Sequence, residues 1–142
     1  MTGAEGITFL VSKTRENCNL GKFIRKRVDG NQVFGNYLHN ASSPHMGKIA
    51  TLVIIDSSEK INLSPIAKSL AMHITAMKPL YISKQKVPSD VTNVKSSNLL
   101  ENQEFISPDN DENLTVGDYI ANKGKELKTK ISIKDFMIFS CA

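Results

Sequence analysis

The strongest periodic signal in the chain is an apolar stripe over residues 64–77. Ile66, Leu70, Ile74 and Met77 recur at helical spacing, which puts them on one face of an α-helix. Ser64 is suited to cap it and Pro65 falls at the first helical position, where a missing N–H costs nothing. Pro79 stops it, with Lys78 near the negative end of the dipole. Just upstream, residues 48–55 hold the run Leu52-Val53-Ile54-Ile55, apolar on both faces, as expected of a covered central strand. Residues 20–28 and 32–38 are extended in character and flank Asp29-Gly30-Asn31, which predicts a β-hairpin because glycine accepts the positive φ of such turns.

Elsewhere the pattern is weaker. Residues 1–6 are small and polar and read as loose, and Ile7 to Val11 is an apolar run of either type. Residues 84–98 are polar and read as an exposed connection, and Ser107-Pro108-Asp109-Asn110 turns the chain. Thr115 caps a short helix over 115–123 that Gly124 closes. Residues 130–141, rich in Ile and Phe, form a last strand. The order β-β-β-α-loop-α-β, with short links between strands, predicts an α+β domain: an antiparallel sheet of three to four strands with helices on one face. Residues 1–13 are expected as a flexible N-terminal segment and 14–142 as the folded unit.

A chain of 142 residues with 40% apolar and 23% charged residues fits one globular domain, and no run approaches the ~20 apolar residues of a membrane span. Cys18 and Cys141 make no disulfide framework and the first ten residues lack a signal-peptide pattern, so a reducing compartment is expected. The net charge of +4 is uneven. Residues 1–88 carry 12 basic and 5 acidic groups, or +7, and residues 89–142 carry 6 and 9, or −3. A basic front half suits an acidic partner, protein or nucleic acid.

Candidate chemistry is thin. Gly47-Lys48 and Gly124-Lys125 lack the rest of a P-loop, so no direct nucleotide binding is expected. His39 and His45 have no cysteine nearby in sequence, and no metal is expected. No hydrolase signature surrounds a serine or cysteine, though a Cys–His pair on Cys18 or Cys141 stays formally open. His73 lies beside the helix stripe and reads as a packing residue. Lys22, Arg25, Lys26 and Arg27 form the densest basic cluster. They read as a solvated edge strand, with an RNA-binding module as the alternative, since only Phe23 offers a base-stacking ring.

Several segments, in order, resemble elongation factor Ts. Arg15-Glu16-Asn17-Cys18-Asn19-Leu20 is similar to that family's G-E-N segment, Gly35-Asn36-Tyr37-Leu38-His39 to its G-S-Y-x-H-G hairpin, and Gly47 to Val53 to its G-K-I-G-x-L-V strand. Ile66 to Ile74 resembles its L-A-K-x-I-A-M-H-I helix. Leu99-Leu100-Glu101 through Phe105-Ile106 resembles L-L-E-Q-P-F-V, Leu114 to Ile120 resembles K-T-V-G-x-x-L, and Asp135 to Phe139 resembles the closing F-V-R-F strand. Each motif is modest and their collinearity is specific.

The resemblance implies the C-terminal half of the family's core domain, in a translation factor that binds the GTPase EF-Tu and promotes GDP/GTP exchange without bond chemistry, catalytic residue, cofactor or metal. It implies contact with the third domain of EF-Tu through Tyr37, His39, Phe105, Ile106 and Ser107, with core packing an equal reading for Phe105. The longer loop 41–46 and the short segment 91–98 resemble mitochondrial members, which implies a mitochondrial setting and an EF-Tu of mitochondrial type, although no transit peptide is visible. Nucleic acid and membrane are not the implied partners. The family's three-helix module and T-D-F-V wedge have no counterpart in these residues, so binding without efficient exchange is expected. Asn40 replaces the glycine that follows the motif histidine, and Glu104 replaces the proline of Q-P-F.

Overall fold

A computed structural model describes residues 1–141. The strand over Val33–His39 (β1) pairs antiparallel with Ile49–Ser57 (β2), and β2 pairs antiparallel with Ile131–Ser140 (β3). The sheet order is β1-β2-β3, so the continuous apolar run sits in the central strand, as its two-sided hydrophobicity predicts. The helices are α1, Gly3–Thr14; α2, Ser64–Met77; and α3, Val116–Glu126. The architecture is α+β with an open antiparallel sheet.

The core forms between the sheet and the helices α2 and α3. Val53 and Ile55 of β2 meet Ala67, Leu70, Ala71 and Ile74 of α2, and Val116, Tyr119 and Ile120 of α3 extend the same cluster. Alternation along a strand would carry β3 out of this core halfway along, because Ile131 and Ile133 have odd numbers whereas Phe136 and Ile138 have even ones. A bulge corrects this. Ile54 pairs with Asp135 and Ile55 with Ile133, so one extra residue reverses the phase and all four side chains join the core.

The helix over 64–77 forms where the stripe predicts it, though its buried face is centred on Ala67, Leu70, Ala71 and Ile74, and Met77 is exposed. Its cap differs from expectation. Ser64 is already helical and Leu63 stands at the cap without a side-chain bond, while Asn62 Oδ1 accepts the Ser64 N–H at 3.2 Å. Lys78 ends the helix in a left-handed conformation with φ 47°, and Pro79 bars its continuation. Thr115 caps α3 as expected, its hydroxyl accepting the Asp118 N–H at 3.3 Å, but the helix runs past Gly124 to Glu126.

Two expectations are corrected. Residues 20–28 are not a strand and do not pair with 32–38: β1 pairs with β2 alone and its other edge stays open. The Asp29-Gly30 turn does form, with Gly30 at φ 59° and the Gln32 N–H donating to Asp29 O at 3.1 Å. A turn alone does not select a partner, however. The open edge of β1 offers only backbone bonds, whereas the outer face of the sheet offers Leu38, Leu52, Met137 and Phe139 as apolar neighbours for Phe23 and Ile24. Residues 20–28 pass over the outer face of the sheet, where Lys26 Nζ meets Asp135 Oδ2 at 3.2 Å and Phe23 stays 80% exposed. The N-terminal residues are the second correction. Thr2 and Glu5 form a reciprocal capping box and start α1, none of whose residues is buried.

The closest approach of helix to sheet is at Gly35. A Cβ built there would lie 2.3 Å from the Ala67 carbonyl carbon and 2.4 Å from its oxygen. These are backbone atoms that no rotamer change can move. Gly35→Ala is therefore expected to destabilise the domain by at least ~1–3 kcal/mol, read as a lowered urea midpoint. An unchanged midpoint would mean that α2 shifts on the sheet freely.

Candidate docking groove

Of the five residues expected to face a partner, three converge. Tyr37 and His39 lie on the α2 side of β1, and His39 ends the strand at the tip of the β1–β2 hairpin. Ile106 comes from the loop that precedes α3. Together with Met72, Ala76 and Pro108 they line a cleft of about 440 Å³. Tyr37 Oη and His39 Nδ1 are 3.4 Å apart, so the phenol braces the exposed imidazole. Ile106 and Met72 are 54% and 46% exposed, an apolar pair at the mouth that water covers at a cost.

Phe105 faces the other way. It is 3% exposed, and its ring lies 5.6 Å from that of His73 and 4.6 Å from that of Tyr119. Core packing is thus what the structure shows for this ring, and its contribution to a surface is to anchor Ile106 beside it. Ser107 lies outside the cleft lining and turns the chain, its hydroxyl accepting the Asp109 N–H at 3.4 Å. Asn110 stitches the loop shut. Its Nδ2 donates to Phe105 O at 2.8 Å and Leu114 O at 3.0 Å, and its Oδ1 accepts the Leu114 N–H.

The floor of the cleft belongs to α2. His73 is fully buried, as its place beside the stripe predicts. Its Nδ1 accepts the Ile106 N–H at 3.1 Å, so the proton sits on Nε2, which donates to Gln103 Oε1 at 2.9 Å. Gln103 Nε2 in turn donates to Ser97 O at 2.7 Å, which fixes the amide orientation. Burial lowers the His73 pKa below its ordinary 6.5, against the opposing pull of the Gln103 bond. Among the described residues no carboxylate or thiol lines the cleft, and both nitrogens of its buried histidine are committed. Apolar side chains are exposed in the wall, with His39 at its rim. Met72 and Pro108 were not foreseen. Met72 is an apolar residue off the buried stripe of α2, which is the signal that marks it.

The sequence model of the family described as "Elongation factor TS" matches residues 1–99. The chain belongs to the elongation factor Ts family. An elongation factor Ts from Sphingopyxis alaskensis is 28% identical over 97% of this chain and 54% of its own length, so the likeness continues through the 105–108 loop and β3. One from Paramagnetospirillum magneticum is 31% identical over 69% of the chain and 31% of its own length. A mitochondrial elongation factor Ts of Zea mays is 30% identical over 74% of the chain and 27% of its own length. The chain spans about half or less of the length of these relatives.

Membership makes sense of one departure. Where the elongation factor Ts hairpin carries glycine after the motif histidine, this chain has Asn40, at φ 51°. That left-handed conformation suits glycine and, among other residues, asparagine best. Asn40→Gly is expected to leave the melting temperature nearly unchanged, and Asn40→Val to lower stability by about 1–2 kcal/mol. Equal melting temperatures for the two variants would show that the turn does not demand this conformation.

The lowered His73 pKa carries a pH dependence of stability. The folded state binds this proton less readily than the unfolded chain does. Between the folded value and 6.5 the unfolded state therefore holds more protons, and stability rises with pH. The stabilisation is complete above 6.5 and is lost as pH falls through the folded value. Thermal unfolding from about pH 7.5 to about pH 5.5 is expected to show a falling midpoint, and His73→Asn a flatter profile. A slope unchanged by the substitution would place the titration elsewhere.

Proposed function

We propose that this chain docks on the translation GTPase EF-Tu through the groove between β1, α2 and the 105–108 loop, and that in doing so it favours nucleotide release. Membership in the elongation factor Ts family supports the partner. The single observation that carries the surface is the convergence of the Tyr37–His39 strand end with Ile106, distant from it in sequence, on one cleft with exposed apolar walls. An exchange factor of this kind makes and breaks no bonds. It binds the nucleotide-free GTPase more tightly than the GDP-bound form, and that difference in affinity shifts the population toward release. In this reading the groove receives an apolar side chain from the third domain of EF-Tu between Met72 and Ile106, while His39 contacts the rim. The partner we have in mind is EF-Tu of the mitochondrial type, and the longer 41–46 loop and the short 91–98 segment support that setting.

A second reading keeps one observation in its favour. Phe23 is 80% exposed amid Lys22, Arg25, Lys26 and Arg27, an arrangement that offers both a stacking ring and cations to single-stranded RNA. The two readings separate in one set of measurements. With purified chain and mitochondrial EF-Tu, binding is expected to be tighter without GDP than with it. His39→Ala and Ile106→Ala are each expected to weaken it by about tenfold or more, with the melting temperature retained. GDP release is expected to speed up only slightly, since these residues contain no T-D-F-V segment. Failure to bind nucleotide-free EF-Tu would sink the first reading. RNA retention that falls steeply with salt and survives both substitutions would support the second.

A further inference from the structure

The groove's outer wall, Ile106, lies on a loop, and a loop side chain presents a defined surface only if its backbone is held. The carbonyls of Phe105 and Ser107 are held by Asn110 within the loop, and two N–H groups of residues 105–106 donate to groups outside that turn. The Phe105 N–H donates to Leu114 O at 3.0 Å, and the Ile106 N–H donates to His73 Nδ1 at 3.1 Å. The second bond is the one that ties the loop to α2, and so to the opposite side of the groove, where Met72 is the neighbouring residue in the helix. It requires an imidazole that is neutral and carries its proton on Nε2. Gln103 Oε1 accepts that proton at 2.9 Å, and Ser97 O holds the Gln103 amide so that its oxygen, not its nitrogen, faces the ring. The chain Ser97–Gln103–His73–Ile106 thus runs in a single donor direction, each link fixing the next. A core histidine needs only that its nitrogens be satisfied. Here one nitrogen is spent on the amide of the exposed groove residue itself.

We propose that His73 is a positioning residue for the docking groove: its Nδ1, accepting the Ile106 amide, sets the exposed Ile106 side chain opposite Met72, and Gln103 fixes the tautomer that makes this possible. The proposal rests on the docking reading for its functional consequence, though not for its geometry. Its distinguishing feature is that the two ring nitrogens are unequal. Asparagine places an acceptor near Nδ1, and glutamine places an amide near Nε2. Both shorten or open the ring's packing, and both are expected to lower the melting temperature. Only His73→Asn keeps an acceptor for the Ile106 N–H.

The test measures amide hydrogen exchange in the free chain, corrected for intrinsic rates, with the Phe105 amide as internal control. His73→Asn is expected to leave Ile106 protected to within a few-fold. His73→Gln is expected to speed Ile106 exchange by about tenfold or more while Phe105 stays protected. Gln103→Met, which keeps the imidazole and removes the acceptor for Nε2–H, is expected to speed Ile106 exchange several-fold. It serves as the reporter should either His73 variant fail to fold. Equal protection of Ile106 in the asparagine and glutamine variants, whether high or low, would overturn the proposal, as would an unaltered Ile106 in Gln103→Met. Affinity for nucleotide-free EF-Tu separates this idea from the one beneath it. His73→Gln is expected to weaken binding, and to add nothing once Ile106→Ala is present. If Ile106→Ala itself leaves binding unchanged, the docking reading fails and the positioning of the loop is still decided by exchange. If Ile106→Ala weakens binding but His73→Gln does not, the positioning role is refuted and the docking reading stands.

Discussion

The close seat of α2 on β1 and β2 is the constraint from which the rest of the fold follows. Gly35 presents no side chain where Ala67 crosses it, so the helix backbone comes down onto the sheet and Val53 and Ile55 are sealed beneath Leu70 and Ile74. At that distance polar groups are paired as well. Thr51 Oγ1 and Thr75 Oγ1 lie 2.7 Å apart inside the interface, and Thr75 Oγ1 also reaches Ala71 O. A buried hydroxyl pair of this kind adds little net energy and penalises any slippage that would unpair it. With α2 fixed in this way, His73 projects from it at a set place and meets residues 103–106. One helix therefore serves as the reference for both walls of the groove: β1 lies under it and the 105–108 loop hangs from it.

Much of this was legible in the residues. A two-sided apolar run marked β2 as central, a 3.6-residue stripe with Pro65 and Pro79 at its ends marked α2, and Thr115 marked the start of α3. What failed did so for definite physical reasons. Residues 20–28 look extended and precede a good turn, but they leave the open edge of β1 unpaired and cross the outer face of the sheet, where apolar side chains meet Phe23 and Ile24. The capping box of Thr2 and Glu5 was present in plain view, yet it lay in a stretch too small and polar to suggest a helix. Asn62 rather than Ser64 meets the first helical N–H, a displacement of two residues that capping preferences alone do not resolve. The bulge in β3 had a trace in the sequence, the switch from odd to even apolar positions between Ile133 and Phe136, which only becomes meaningful once a single core is assumed.

The site was less legible than the fold. Resemblance pointed to two segments, 37–39 and 105–107, but a segment is not a face. Successive side chains in extended backbone point to opposite sides, so of Phe105 and Ile106 only one can belong to the surface. The larger ring took the interior beside Tyr119, where its area is worth most. The contribution of α2 was hidden for a related reason. A stripe draws attention to the residues it contains, whereas Met72 matters because it lies off the stripe and is still apolar. His73 could be read as buried from its position, but not as a donor–acceptor relay, because its partners lie thirty residues or more away in sequence.

A groove assembled from separate segments ties recognition to stability. Tyr37 and His39 sit on a strand, Met72 on a helix and Ile106 on a loop, and these three segments are not near one another in an unfolded chain. If the groove docks a partner as proposed, whatever fraction of molecules has α2 properly seated is the fraction able to bind, and the apparent dissociation constant rises as that fraction falls. The dependence is reciprocal, since a partner that binds only the folded arrangement stabilises it in proportion to its own affinity and concentration. Substitutions far from the groove that loosen the helix–sheet contact would thus resemble losses of contact in a binding assay. Changes at the exposed residues Ile106 and Met72 would leave the fold intact and act on the contact alone. On the docking reading, that asymmetry separates residues that build such a surface from residues that would touch a partner, and the boundary between the two runs between the buried Phe105 and the exposed Ile106.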